Sequence, residues 1–196
     1  MALSAAAAAC VGAPVPKVGE PAPALKDAAA EAAYQATLDR YTSRREIYNR
    51  LDTRLFGAMT LQSAAFVEAR VRRQAAFQDI PSATADADVA KAQAEVAGEY
   101  VFFLGVHLND HRYDDLDKRD STWRLALVAP SGDVTPLKVE RVGRSNLNLR
   151  ALYPYLDDFW TAYRVRFPRA LPPGTARLEV HLASALGQAS FEFPAE

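Results

Sequence analysis

The sequence has little cysteine and little histidine, which limits the chemistry it can support. Cys10 is the only cysteine, and there are three histidines among 196 residues. A single thiol allows no intramolecular disulfide, no cysteine-based structural zinc site and no redox pair of cysteines. The sequence also contains no Gly-x-Ser-x-Gly elbow, no glycine-rich phosphate loop and no His-Glu-x-x-His motif. Nucleotide enzymes, zinc proteases and elbow-type hydrolases therefore have no sequence support.

A basic excess and a long apolar run are missing as well. The 23 Lys and Arg residues are balanced by 24 Asp and Glu residues, giving a net charge of -1. Proteins that bind nucleic acid usually carry a cationic surface, so no nucleic-acid partner is expected. No apolar run approaches the roughly 18–20 residues that a membrane-spanning helix needs. Membrane contact, if the protein has any, is expected through a lipid anchor only.

The first 25 residues are unlike the rest of the chain. Residues 1–9 form a short alanine-rich run that ends in Ala7-Ala8-Ala9-Cys10. This ending resembles a bacterial lipobox, in which small residues precede a cysteine that is lipidated after signal cleavage. The resemblance implies a lipoprotein of the cell envelope, periplasm-facing or on the surface, anchored at Cys10. The alternative is an alanine-rich tail with an incidental cysteine. Either way, residues 1–25 are predicted to be disordered and to end in a proline-rich tether.

The stretch 26–98 is predicted to be helical. Its apolar residues follow steps of three and four, which is typical of amphipathic helices. Gly57 is the expected break, with a second helix over 61–77; a single bent helix is the alternative, and a further helix is expected over 86–97. Arg70, Arg72 and Arg73 are interpreted as a solvated helix face, the alternative being a basic patch for anionic lipid or a partner. The apolar positions of the first part are Tyr34, Leu38, Tyr41, Tyr48, Leu51, Leu55 and Met59.

The stretch 99–196 is predicted to be a series of antiparallel strands. The final hairpin alternates apolar and polar residues over 176–182, which indicates a layer with one dry side. Residues 100–108 are instead apolar at nearly every position. This indicates a central strand covered on both faces, by a second sheet and by the helical region. The predicted fold is therefore α+β, an N-terminal helical region packed on a C-terminal antiparallel β-sandwich, with 26–196 as one folding unit.

About six strands, proline and glycine turns and Trp123 on an early strand resemble an immunoglobulin-like sandwich. The cysteine pair of antibody domains is absent, so the resemblance implies the architecture only. Folds of this kind have many functions, and most of those functions are binding or structural.

Two polar regions are candidate sites. The segment 107–120 holds His107, His111 and five aspartates, which suit calcium or a transition metal, although the spacing does not follow an EF-hand loop. A charged, solvated loop is the favoured interpretation, and no metal is predicted. Asp157 and Asp158 stand beside Phe159 and Trp160, which suits a hydrolase or a carbohydrate-binding groove. The favoured alternative there is an aromatic plug that closes one end of the sandwich.

The function predicted from the sequence is that of a non-enzymatic envelope lipoprotein, acting as an interaction or structural module. No catalytic residue and no cofactor is assigned, and an envelope protein is the expected kind of partner. A hydrolase or carbohydrate-binding protein using Asp157, Asp158 and Trp160 is one alternative. A metal-binding module at His107 and His111 is the other.

Overall fold

The computed structural model describes residues 21–50, 52–172 and 175–194. These residues form four α-helices, a short 3-10 helix at His111–Tyr113 and eight strands. The α-helices are α1 (Ala28–Arg40), α2 (Ala64–Phe77), α3 (Ser82–Val96) and α4 (Leu147–Leu152). The strands are β1 (Thr42–Asn49), β2 (Asp52–Leu61), β3 (Glu99–Leu108), β4 (Arg124–Leu127), β5 (Lys138–Arg144), β6 (Thr161–Pro168), β7 (Arg177–Ser184) and β8 (Gly187–Pro194).

The strands form two antiparallel sheets. The larger sheet has the order β1-β2-β3-β6-β5, and the smaller has the order β4-β7-β8. The protein is thus a mixed α+β fold with a sandwich-like pair of sheets. The sheets approach along one side, where the Ser43 Oγ of β1 accepts a hydrogen bond from the Glu192 N–H of β8 at 3.2 Å.

The main core lies between the two sheets. Phe102 of β3 contacts Phe167 of β6, with ring centroids 5.9 Å apart, and Phe193 of β8 at 5.0 Å. Leu104 pairs in register with Met59 on one side and Tyr163 on the other, and all three are buried. Because directly paired residues share a face, these side chains point into the sandwich together.

The opposite face of the larger sheet is covered by helices and by the segment 153–160. Phe103 of β3 stacks on Tyr153 with ring centroids 3.7 Å apart, and Phe66 of α2 lies 6.0 Å from the same tyrosine. The side chains of Leu156 and Trp160 lie close over Gly105. The prediction that β3 is a central strand with two dry faces is confirmed.

The prediction of a helical region over 26–98 is wrong for Thr42–Asn49 and Asp52–Leu61, which form the antiparallel strands β1 and β2. Six residues of these two strands are β-branched or aromatic, types that favour strands. The four-residue step from Leu55 to Met59 fits a helix but also keeps both residues on one face of a strand, the face towards the smaller sheet, while Ala58 and Thr60 are buried on the face towards the helices. A strand covered on both faces shows no alternation.

The helices begin where short polar side chains can cap them. The Asp27 carboxylate accepts hydrogen bonds from the Ala29 and Ala30 N–H groups, and the Ser63 hydroxyl accepts from Phe66 N–H. Asn146 caps α4 in the same way through Leu149 N–H. The third helix starts at Ser82, four residues before the predicted start, with Pro81 at its N-terminus and no side-chain cap.

Residues 21–25 are the part of the predicted tether that the structure describes. Residues 21–25 are irregular in structure, but Pro23 and Leu25 hydrogen-bond to side chains of the helical layer. The predicted lipidation site Cys10 lies outside the described residues. In the part of the chain that the structure describes, no helix is long and apolar enough to cross a membrane.

Candidate functional site

The residues proposed for metal binding lie on different elements. His107 is on β3, on the helix-facing side, with Phe56 and Phe159 at ring distances of 6.0 and 6.3 Å. Its Nδ1 is buried and has no hydrogen-bond partner. His111 is exposed in the 3-10 helix. Over residues 21–50, 52–172 and 175–194, no three His, Cys, Asp or Glu side chains are grouped as a metal would require.

The aspartates of this segment bind other parts of the protein. Asp115 accepts hydrogen bonds from the Ser121 hydroxyl and from the N–H and hydroxyl of Thr122, at 2.9 to 3.0 Å. Asp110 is paired with Arg112, whose hydrogen bonds lower the pKa of that carboxyl group to about 2. The loop is charged, as predicted, but Asp110 and Asp115 are engaged in local structure.

Asp114 is the centre of a part-buried polar cluster. Its carboxylate accepts hydrogen bonds from the Tyr163 hydroxyl and, at 2.9 Å, from the Thr161 hydroxyl. Arg141 of β5 donates to the Asp114 carbonyl at 2.6 Å and to the Tyr163 hydroxyl at 2.9 Å. Burial, and then the hydrogen bond to Asp114, raise the pKa of Tyr163. The cluster attaches the loop to β5 and β6. The Tyr163 hydroxyl acts in it as a hydrogen-bond donor to Asp114, which is a structural role.

Asp157 and Asp158 do not form an open pair of carboxylates. Asp158 makes an ion pair with the buried guanidinium of Arg150, and Asp157 accepts a hydrogen bond from Phe159 N–H at 2.9 Å. Trp160 is buried, whereas Phe159 is half exposed.

The neighbouring aromatics agree with the plug interpretation in part. Tyr153 and Tyr155 are buried like Trp160, and burial raises the pKa of both tyrosines. The Tyr155 hydroxyl hydrogen-bonds to Thr60 at 2.9 Å, and that of Tyr153 donates to Gln62 at 3.2 Å. These three rings close the helix-facing side of the larger sheet, and Phe159 stands at its border.

Arg73 was predicted to be solvated and is instead one of the most buried side chains. Its guanidinium binds the Glu31 carboxylate through two contacts of 2.6 and 3.2 Å. It also donates to the carbonyl oxygens of Ala151 and Pro23. The same group lies over the Tyr34 ring at 4.3 Å. Arg73 therefore joins α1, α2, the end of α4 and the first described residues of the chain.

A cationic cleft lies between α2, α3 and the helix-facing side of β3 and β6. It consists of two adjoining cavities of about 300 and 240 Å³, both lined by Arg70, Ala92 and Glu95. The smaller cavity is also lined by Gln62, Val96, Val101, Arg164 and Arg166. Arg166 is paired with Glu99 at 2.6 Å. The Arg70 Nε is buried without a hydrogen-bond partner.

The sequence contained one signal for this cleft that was not used. Arg164 and Arg166 alternate with Tyr163 and Val165 along β6, which normally indicates a solvated face. The neighbouring strand β3, however, was predicted to be covered by helices on that same side. Two arginines under a helical cover are a better indication of a polar cavity than of open solvent.

Comparison with family models, curated proteins and solved structures returned no match for this chain.

Proposed function

We propose that the protein is a non-enzymatic lipoprotein of a bacterial cell envelope, held to the membrane by a lipid on Cys10. The observation that carries this proposal is the sequence Ala7-Ala8-Ala9-Cys10 followed by a proline-rich stretch, and the attachment of residues 23–25 to the helical layer is compatible with it. The Pro23 carbonyl accepts a hydrogen bond from Arg73 at 3.0 Å, and Leu25 N–H donates to the Glu31 carboxylate at 2.8 Å. A tether that begins at a lipidated cysteine would therefore meet the folded part of the protein at a fixed point.

The tether also limits how far the folded part stands from the membrane. The residues between Cys10 and Pro23 span at most about 45 Å when fully extended. A module at that distance can reach other envelope proteins, which are the partner class that this proposal implies. The four prolines of this stretch favour extended conformations.

We also infer an immunoglobulin-like topology for the strands after β1. The support is the strand order: β2-β3-β6-β5 corresponds to the ABED sheet of such domains, and β4-β7-β8 corresponds to CFG. Trp123 directly precedes β4, which takes the place of strand C, and it is buried. In this assignment α2 and α3 are an insertion between strands A and B. Domains with this architecture mostly bind partners or serve as structural units, in line with the proposed role.

Mass spectrometry of the protein isolated from envelope fractions tests the anchor. The expected result is a mature chain that begins at Cys10 and carries diacylglyceryl and acyl groups on that residue. A Cys10→Ser variant is the matched control, and it is expected to leave the membrane fraction. An unmodified Cys10, or a mature chain that still begins at Met1, would contradict the proposal.

A further inference from the structure

The smaller cavity of the cleft has more positive than negative charge in its lining. Arg70, Arg164 and Arg166 line it, and Glu95 is its one carboxylate. Arg166 is neutralised by Glu99 at 2.6 Å. Among the described residues, neither Arg70 nor Arg164 forms an ion pair, and Glu95 is joined to neither of them. Among the described residues, these two guanidinium groups therefore have no carboxylate at ion-pair distance, although Glu95 lines the cavity and Glu140 of β5 pairs in register with Arg164.

The buried nitrogen of Arg70 points to the same conclusion by a separate route. Buried hydrogen-bond donors are satisfied in the great majority of cases, by protein groups or by ordered water. The Arg70 Nε is buried and has no partner. The nearby Gln62 side chain donates to the Thr60 carbonyl and accepts from the Tyr153 hydroxyl, and it forms no hydrogen bond with the Arg70 Nε. An acceptor from outside the described residues would complete the geometry.

The elements that present the two arginines are well fixed. Arg70 is on α2, whose apolar side is buried through Phe66 and Val67. Arg164 is on β6 and pairs in register with Phe103, which stacks on Tyr153. The cavity also has apolar walls from Val96 and Val101. Such a combination of charged donors and apolar walls is typical of sites for small organic ligands.

We infer that this cleft binds an oxyanion, a carboxylate or a phosphate carried on a small organic molecule, through Arg70 and Arg164. Guanidinium groups bind both kinds of oxyanion through paired, charge-assisted hydrogen bonds. The apolar walls take the organic part of the ligand, and the larger cavity on the other side of Arg70 gives it further room. This inference does not depend on the lipid anchor.

The test uses the full chain and two simple probes, sodium phosphate and sodium acetate, at constant ionic strength. Each probe is titrated while the arginine Nε–H resonances are followed by NMR. The expected result is a saturable shift of the Arg70 Nε–H resonance with at least one probe. Arg164→Gln is expected to weaken that binding about tenfold or more, because one charge-assisted contact is lost.

Arg177→Gln is the matched control. Arg177 is an exposed arginine on β7 of the other sheet and lines neither cavity, so its replacement is expected to leave the affinity unchanged. Arg164 is itself exposed, and thermal melts of both variants check that the fold is kept. A preference for phosphate or for acetate identifies the ligand class. No saturable shift with either probe, or equal weakening by the two substitutions, would overturn the inference.

Discussion

Arg73 is among the largest fully buried side chains of the described residues, and its guanidinium makes four hydrogen bonds. A guanidinium loses its hydration on burial, and only a close carboxylate with further hydrogen bonds repays that loss. Glu31 and two backbone carbonyls provide these partners, and the rings of Tyr34 and Phe77 lie against the remaining faces at 4.3 and 5.1 Å. Removing one partner therefore leaves an uncompensated buried charge.

The variant Glu31→Gln is expected to lower the free energy of unfolding by about 3 kcal/mol, because it leaves Arg73 without its anion. Urea denaturation measures the change. The control is Glu68→Gln, which removes an exposed ion pair with Arg72 on the neighbouring part of the same layer. That control is expected to cost less than about 1 kcal/mol. Equal losses in the two variants would show that Arg73 does not need its partner.

The same pair predicts how stability depends on pH. Partial burial opposes ionisation of Glu31, but hydrogen bonds from Arg73, Gln35 and Leu25 N–H outweigh it and lower the pKa from 4.5 to about 2. A lowered pKa in the folded state gives stability that is present above pH 4.5 and is lost as the pH falls towards 2. After allowance for solvent screening, this contribution is about 1–2 kcal/mol. Glu31→Gln is expected to make the free energy of unfolding fall less steeply as the pH is lowered from 4.5 towards 2.

Among the elements, β3 has the most demanding position, because both of its faces are covered. Gly105 is the point of closest approach: an added Cβ would lie 2.5 Å from Leu156 Cδ2 and 3.0 Å from Trp160 Cε3. The Trp160 ring is buried and has little room to move. A glycine at this position lets the aromatic segment 153–160 lie directly on the sheet.

Gly105→Ala is accordingly expected to destabilise the protein by about 1–3 kcal/mol through overpacking. Gly98→Ala is the matched control, since nothing lies within 4 Å of a Cβ at that position. It is expected to be neutral or to stabilise the protein by up to about 1 kcal/mol, through the unfolded chain. Denaturation midpoints at an unchanged slope measure both effects. A neutral Gly105→Ala would mean that Leu156 and Trp160 move aside freely.

The elements that sequence patterns predicted well are those with an unambiguous pattern. The alternation over 176–182 identifies β7, and the continuous apolar run over 100–108 identifies β3 and its two covered faces. The β1–β2 hairpin was missed because burial on both faces of β2 removes the alternation. Helical steps through Leu55 and Met59 then fit by coincidence.

The candidate site was predictable only in part: Arg164 and Arg166 beneath a predicted helical cover were one local signal, but no local pattern includes Arg70. Arg70 and Arg164 are 94 positions apart, and only the tertiary fold brings them to one cleft. Arg73 lies three residues from Arg70 in a run that looks uniformly basic. Which arginine is buried depends on Glu31 and on the backbone of residues 23 and 151, and a local pattern contains none of these.

At the scale of the whole molecule, the fold has three layers: helices, the five-stranded sheet and the three-stranded sheet. The two tryptophans lie in different layers. Trp160 packs over Gly105 on the helix-facing side, while Trp123 precedes β4 of the smaller sheet and donates from Nε1 to the Tyr113 carbonyl at 2.8 Å. Because both are buried, each reports on the unfolding of its own layer.

We predict that the layers unfold together, as one folding unit over 26–196. The larger sheet contributes side chains to both cores, so loss of either outer layer exposes apolar surface on β3 that the sheet cannot cover by itself. Trp123→Phe and Trp160→Phe each leave one fluorescent reporter. Each variant is followed by its fluorescence and by far-ultraviolet circular dichroism, and the two transitions are expected to coincide within that variant. If the Trp160 signal changes at lower urea than the circular dichroism of the same variant, the helical layer unfolds separately and the single-unit prediction is wrong.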